Sequence, residues 1–412
     1  MRKKNIKYNI ILNSIGLGIN AFSSLFYLII VTRINGIDLA GYFTFGFSIS
    51  TLFNIIGVYF GRIYQVTDNN NKYLDNDYFI NRLITCLMMI IVFIVFVLFK
   101  KYNLTKSIIV LLLCLFRTFE AFSEILYGYY QKREELYKVG ISLIIKNVFA
   151  LLIFLIVDYL TNNLILSIIS LNIIHILVII FYDLKILKNI KINLSLINFS
   201  KQKLLLKEGF SPFILTFSIL LLINMPRFII DNNLNADMST IFGILIMPAT
   251  IISLVSQFCI HPFLNQISDY VRENKFKDLN KLVNKINFVL LLFGLFAIIC
   301  AYLVGIPFLE FVYNIDLKDY LLSLIIILIG SIFYGLATIY SNVLVALRKI
   351  NMQFYVYLIV SLLFYIICQI LIVKYMIFGV TISYLISMFV LMLIMKIIFN
   401  SYIKNNNTNK EG

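Results

Sequence analysis

The chain is a succession of apolar runs, each about twenty residues long and each closed by polar or charged punctuation. A helix needs about 20 mostly apolar residues to cross a hydrocarbon core ~30 Å thick. Inside that core only a helix or a closed barrel satisfies its own backbone hydrogen bonds. The runs fall at 10–32, 40–66, 79–99, 106–130, 138–157, 163–184, 208–230, 239–264, 283–306, 319–344, 353–375 and 376–399, with only Lys374 marking the gap between the last two. Of the 412 residues, 61% are hydrophobic and 13% charged, about half the charged share of a soluble domain. A soluble globular domain, a nucleic-acid-binding protein and a disulfide scaffold are all excluded.

The net charge of +15 is mostly a topology signal. If the runs alternate sides, twenty-five of the Lys and Arg residues fall on the N-terminus, the even-numbered loops and the C-terminus, and six fall on the other side. Lys and Arg concentrate in cytoplasmic loops, so both termini are expected in the cytoplasm. Lys100, Lys101 and Lys106 are the local exception. They read as lysines snorkelling from span ends, as an external anchor for anionic headgroups, or as an error in the third or fourth span. Arg2, Lys3, Lys4 and Lys7 precede the first run with no cleavage site after it, so it is expected to be a retained span. The five cysteines lie in apolar runs without a CxxC, which points to buried thiols.

The longest connector, 185–207, carries Lys185, Lys188, Lys191, Lys201, Lys203 and Lys207, with Leu194, Ile197 and Leu204 at amphipathic spacing. Such a segment reads as a basic helix on the cytoplasmic membrane surface. It divides the chain into a six-helix lobe at 1–184, the linker itself, a second six-helix lobe at 208–404 and a polar tail at 405–412. The expected fold class is an all-α polytopic membrane protein of about twelve transmembrane helices, its two lobes set around a central cavity. Each half enters from the same side, so any repeat is parallel. A weak one is visible. Arg33, Phe45-Gly46 and Gln65-Val66-Thr67-Asp68 in the first half match Arg227, Phe242-Gly243 and Gln266-Ile267-Ser268-Asp269 in the second.

Catalytic chemistry is missing. No Gly precedes a Lys, so there is no Walker A loop, and two histidines cannot make an HExxH zinc site. Asp75-Asn76-Asp77 spells a DxD of the kind that holds metal-bound sugar nucleotides, but without a surrounding catalytic domain it reads as a solvated turn. His175 and His261 read as packing or hydrogen-bonding residues. No cofactor and no metal is implied, and no nucleic-acid partner. The function is expected to be transport rather than catalysis.

Ionisable groups at span depth are costly and normally face a partner or a wet cavity. The fourth run holds Arg117, Glu120 and Glu124, on one helical face with Tyr127 and Gln131. They read either as an Arg117–Glu120 pair locking two helices together or as the lining of a cavity. Glu124 then looks for a partner, and Lys146 in the next run is the expected one. Glu120 and Glu124 are also candidates for coupling transport to H⁺ or Na⁺. Arg227 follows Pro226 in the seventh run, and Arg62 and Arg33 lie near the ends of the first two, where snorkelling competes with a site role. With Arg117, Lys146, Arg227 and Arg62 outnumbering the two acids, the cavity is expected to be net positive and to prefer an anion, especially phosphate. Pro226, Pro248 and Pro262 mark the seventh and eighth spans as those expected to bend.

Arg117-Thr118-Phe119-Glu120-Ala121-Phe122-Ser123-Glu124, with Tyr127-Gly128, Gln131-Lys132, Gly140 and Lys146, resembles the fourth and fifth spans of Wzx-type polysaccharide flippases. Pro226-Arg227-Phe228-Ile229-Ile230-Asp231, Phe242-Gly243, Met247-Pro248 and His261-Pro262-Phe263-Leu264 resemble the seventh and eighth. Pro307 to Tyr313 and Asn342 to Lys349 resemble the ninth-to-eleventh region. The resemblance implies the multidrug/oligosaccharidyl-lipid/polysaccharide exporter superfamily and a multi-pass protein of the bacterial plasma membrane. It implies an undecaprenyl-diphosphate-linked oligosaccharide as cargo, flipped from the cytoplasmic to the outer leaflet for O-antigen, capsule, teichoic-type or exopolysaccharide assembly. Membrane lipids, a coupling ion and polysaccharide polymerases are the implied partners. The family's Asp before the seventh-span Arg is Pro226 here, which leaves a salt bridge at that place without its acid. The nearest rival is an ion-coupled drug/cation antiporter of the same superfamily. That reading would want a carboxylate in the opening span, and residues 10–32 contain none.

Overall fold

The apolar runs become helices. The computed structural model describes residues 6–68, 72–190, 198–347 and 350–408, and among them there is no strand. Ten helical segments are long and apolar enough to cross a bilayer. Leu104–Lys132, 29 residues long, is set apart from these by its ionisable stripe. The last of the ten, Met352–Lys404, is 53 residues long and breaks at Met376 (φ 48°, ψ −129°), where the sequence divides its final two runs. The chain is a multi-pass, all-helical membrane protein. It forms two compact units, Met1–Phe213 and Ile214–Gly412.

The first unit holds α1 (Ile6–Asn35), α2 (Ile37–Val58), the short α3 (Gly61–Thr67), α4 (Asp75–Lys100), α5 (Leu104–Lys132), α6 (Leu136–Thr161), α7 (Leu164–Phe181) and the first turns of α8 (Phe199–Asn233). Helices α1 and α6 cross backbone to backbone. A Cβ at Gly16 would stand 2.6 Å from the Gly140 carbonyl oxygen, and one at Gly140 would collide with that of Leu12. Small residues permit this approach where no hydrophobic force drives helices together. Between α2 and α3 both Tyr59 (φ 35°) and Phe60 (φ 59°) are left-handed, which L-residues adopt only at a cost. The carbonyl of Gly57, just before the break, accepts hydrogen bonds from Thr85 Oγ1 at 2.8 Å and from the guanidinium of Arg82. Arg82, one of the twenty-five Lys and Arg residues counted to the side of the termini, is 2% exposed.

Asp75-Asn76-Asp77 is not a solvated turn. It opens α4, and Asp77 is buried, its Oδ2 accepting from the Leu74 N–H at 3.0 Å and lying 3.4 Å from Lys201 Nζ. A helix N-terminus favours carboxylates because its amides are unpaired and its dipole is positive there. Nearby, burial alone would raise the Asp68 carboxyl. The backbone N–H groups of Tyr73 and Lys72 and the Tyr78 hydroxyl outweigh it and hold the group below its ordinary pKa.

The start of α8 docks on the same surface. Tyr59 donates to the Leu206 carbonyl at 3.1 Å and Tyr64 to that of Glu208 at 3.0 Å, while the Glu208 carboxylate takes Tyr73 Oη at 3.1 Å and pairs with Lys72. Leu194 and Ile197, on which the amphipathic reading of the connector rests, lie outside the described residues. At the other end of the spans, Lys100 and Lys101 are exposed at the close of α4. Lys106 is instead buried, its Nζ 4.3 Å from the ring centre of Tyr102, 4.7 Å from Phe45 and 5.5 Å from Tyr42. Three aromatic faces stabilise that ammonium, and the α4–α5 hairpin shows no error in the span assignment.

The second unit continues α8 and adds α9 (Ala236–Leu245), α10 (Met247–Ile260), α11 (Leu264–Arg272), α12 (Phe276–Cys300), α13 (Ile306–Tyr313), α14 (Leu321–Ala346) and α15 (Ile350–Thr408). The prolines act unequally. Pro226 lies within the unbroken α8, whereas Pro248 opens α10 and Pro262 sits in the tight turn His261–Phe263 between α10 and α11. Pro307 follows a widened π turn at Ala301–Gly305, as expected where a missing N–H frees a carbonyl one turn earlier. The sequence repeat has a structural counterpart. In each unit the second span breaks and ends in a short helix carrying the Gln-x-Thr/Ser, α3 in one and α11 in the other.

Candidate functional site

Halfway along the spans of the first unit is a polar cavity of about 140 Å³. Helix α5 supplies Arg117, Glu120, Ser123, Glu124 and Tyr127, which share its inward face because they recur at three- and four-residue spacing. Lys146 and Asn147 come from α6 and His175 from α7. Asn20 of α1 and Asn54 of α2 complete the polar lining.

Each charge at the cavity has its own partner. Arg117 Nη1 is 2.5 Å from Glu120 Oε2, and its Nη2 donates to Thr51 Oγ1 at 2.9 Å. The guanidinium also lies over the Phe47 ring at 4.4 Å. Glu124 pairs with Arg62 at 2.9 Å, and Arg62 Nε donates to Gln131 Oε1 at 3.1 Å. Lys146 Nζ bonds Ser123 Oγ at 2.6 Å, Tyr127 Oη at 3.0 Å and Asp183 Oδ2 at 2.5 Å. Ser142 donates to the other Asp183 oxygen at 2.6 Å. Burial separates the three pairs. The Lys146–Asp183 side chains are 2% and 0% exposed, Arg117–Glu120 15% and 17%, and Arg62–Glu124 20% and 34%. The first is a sealed pair, since leaving either charge alone there would be costly. Of the other two, Arg117, Glu120 and Glu124 line the cavity alongside Lys146, and Arg62 does not.

Four expectations need correction. Glu124 is partnered by Arg62, not Lys146, because α3 brings Arg62 against α5 beyond the break in the second span. The first-unit cavity is not net positive: Arg117 and Lys146 face it together with Glu120 and Glu124, and Asp183 supplies the acid that the count of embedded charges left out. Arg33, at the last turn of α1, is exposed and does not line it. Arg227 belongs to the second unit, where its Nη1 donates to Asn224 Oδ1 at 3.2 Å and no carboxylate among the described residues is within ion-pair distance.

His175, read as a packing residue, lines the cavity with neither ring nitrogen hydrogen-bonded, its ring edge-on to Phe116 at 4.8 Å. His261 is exposed. An embedded acid at the end of the sixth run was the available signal for Asp183. Nothing in the spacing pointed to Asn20 or Asn54. The second unit has a larger cavity, about 290 Å³, lined by apolar side chains such as Pro248, Phe296, Phe308 and Leu324. Among the described residues no cluster of His, Cys, Asp and Glu is arranged to hold a metal.

This is the fold of transporters of the multidrug/oligosaccharidyl-lipid/polysaccharide exporter superfamily. An inward-facing multidrug resistance MATE family transporter of that superfamily superimposes with a TM-score of 0.69 over 96% of this chain and 99% of its own, at 12% identity. The lipid II flippase MurJ in an inward closed conformation gives 0.70 over 93% of this chain and 86% of its own, at 19% identity. In sequence the chain is similar to the capsular polysaccharide biosynthesis protein CapF of Staphylococcus aureus, 25% identical over 398 residues, which are 94% of this chain and 96% of CapF. No family model matches the chain. These similarities agree with the resemblance drawn from the residues in fold and in the link to capsular polysaccharide biosynthesis.

Proposed function

We propose that the chain is a flippase that moves an undecaprenyl-diphosphate-linked oligosaccharide from the cytoplasmic to the outer leaflet for surface polysaccharide assembly. The observation that carries this reading is the polar, ion-paired cavity halfway across the spans of a chain whose sequence aligns almost end to end with a capsular polysaccharide biosynthesis protein. Substrate sites of secondary transporters lie near the midplane. A carbohydrate head group crossing the core needs such a cavity, because unpaired polar groups in hydrocarbon cost several kcal/mol each (about 4–8 against cyclohexane).

In this reading both termini are cytoplasmic and transport runs by alternating access, with the lipid tail remaining in the bilayer. Arg117 and Arg62 exchange a carboxylate partner for a phosphate or acidic-sugar oxygen, and Arg227 offers a further guanidinium. Arginine suits this role because its planar fork binds carboxylate and phosphate alike. Glu120 and Glu124, freed when an arginine turns to substrate, are the groups whose protonation or Na⁺ binding couples transport to an ion gradient. Lys146, held by Asp183, ties α5, α6 and the end of α7 together and contributes a fixed charge at the cavity wall.

The test is deletion of the protein followed by lipid extraction. Lipid-linked repeat units should build up on the cytoplasmic leaflet while surface glycan disappears. Unchanged surface glycan with no lipid-linked intermediate would overturn the proposal.

A further inference from the structure

Beyond its ion pairs, the first-unit cavity has hydrogen-bonding groups that the protein leaves unused. His175 is 1% exposed, it lines the cavity, and neither Nδ1 nor Nε2 has a hydrogen-bond partner. Asn54 Oδ1 and Arg117 Nε, at the same cavity, are buried and equally unpartnered. Buried polar atoms are nearly always satisfied, and exceptions gathered at one cavity mark a place where something else binds. The chemistry of the unused set is mixed. Asn54 Oδ1 only accepts, Arg117 Nε only donates, and an imidazole has an N–H to give and, when uncharged, a nitrogen to fill.

That mixture selects the ligand class. An ionised phosphate accepts only, so it cannot satisfy Asn54 Oδ1. An organic cation donates only, and it would meet Arg117 and Lys146 on the cavity wall. A hydroxyl does both. We infer that His175 and Asn54 form a subsite for an uncharged, polyhydroxylated ligand, one ring of a sugar, with Asn20 and Asn147 as neighbouring amides. The balance of two cationic and two anionic groups at the cavity fits a neutral ring. At about 140 Å³ the space far exceeds the ~10–15 Å³ that admits one water, and waters filling it are displaced profitably only by a ligand that reproduces their bonds. This inference rests on the flippase reading and deepens it. The arginines meet the charged linkage, and the imidazole and amides select the sugar attached to it.

The test uses the full chain in lipid nanodiscs, with bound lipid counted by native mass spectrometry. One probe is the lipid-linked oligosaccharide pool extracted from cells lacking the protein, and the other is undecaprenyl diphosphate without sugar. The wild-type protein should prefer the sugar-bearing pool. His175→Phe and Asn54→Leu, similar in size to the residues they replace, should each cut that preference about tenfold, which is ~1.4 kcal/mol. Arg117→Ala should instead weaken both probes. A wild-type protein that binds both equally well, or variants that retain the full preference, would overturn the sugar subsite and leave the flippase reading standing. Binding of neither probe by the wild type would overturn the flippase reading and this inference with it.

Discussion

Lys146 in the first unit and Arg227 in the second are both basic side chains inside apolar spans, and their surroundings differ in kind. Lys146 is enclosed by Asp183, Ser123 and Tyr127. Among the described residues the hydrogen-bond partner of Arg227 is neutral, Asn224. The contrast extends to the cavities: the one in the first unit is ringed by paired charges and amides, the one in the second by apolar side chains. An embedded charge therefore does not define a site by itself. The two surroundings differ in burial as well: the counter-charge of Lys146 is sealed in with it, whereas Glu120 and Glu124 are part-exposed at the cavity.

The largest expected effect breaks the sealed pair. Lys146→Met should destabilise the protein by about 3–5 kcal/mol, because it strands a buried carboxylate. Adding Asp183→Leu should restore much of that loss, and unfolding in detergent reads both. A single variant as stable as the wild type would mean that the pair does not hold α5, α6 and α7 together. Arg117→Ala, at a pair of intermediate exposure, should leave the protein inserted and folded yet stop surface glycan production. Normal glycan in that variant would remove the arginine from the mechanism.

Arg227→Ala sharpens the comparison. It removes one hydrogen bond to a neutral group, so its stability cost should be about 1 kcal/mol, well below that at Lys146, while export should again fail. Full export would confine the working charges to the first unit. The smallest effect is at Asp68. Its folded-state pKa is lowered, so its contribution is complete above the ordinary carboxylate pKa and is lost as pH falls through the lowered value. Asp68→Asn should cost roughly 0.5 kcal/mol at neutral pH and should abolish that part of the acid sensitivity. Unfolding midpoints measured from neutral to acid pH check the sign.

The spans were legible because hydrocarbon imposes a length and a composition, and even the break at Met376 fell between two separable runs. The stripe from Arg117 to Gln131 was legible from helical spacing, and from Arg117 to Tyr127 it lines the cavity, while Gln131 accepts from Arg62. The pairing was not. Spacing orders residues along one helix, whereas the Arg62–Glu124 contact depends on a break at Tyr59 and Phe60, which are left-handed although the glycines stand on either side of them, at 57 and 61. Asp183 was hidden by its position at a span end, where an acid usually meets water. Arg82 was hidden likewise, since its partner is a backbone carbonyl and leaves no mark in the sequence. The unused nitrogens of His175 are a property of three-dimensional packing alone.

The central claim, that the paired charges of the first unit receive a polar head group in mid-membrane, is tested most directly by reconstitution. Purified protein in liposomes loaded with the lipid-linked oligosaccharide pool should equilibrate it between leaflets, read by its accessibility to an added membrane-impermeant glycosidase. The account predicts transfer by the wild type and none by a folded Arg117→Ala variant. Equal transfer by the two proteins, or none by the wild type under an imposed H⁺ or Na⁺ gradient of either sign, would contradict it.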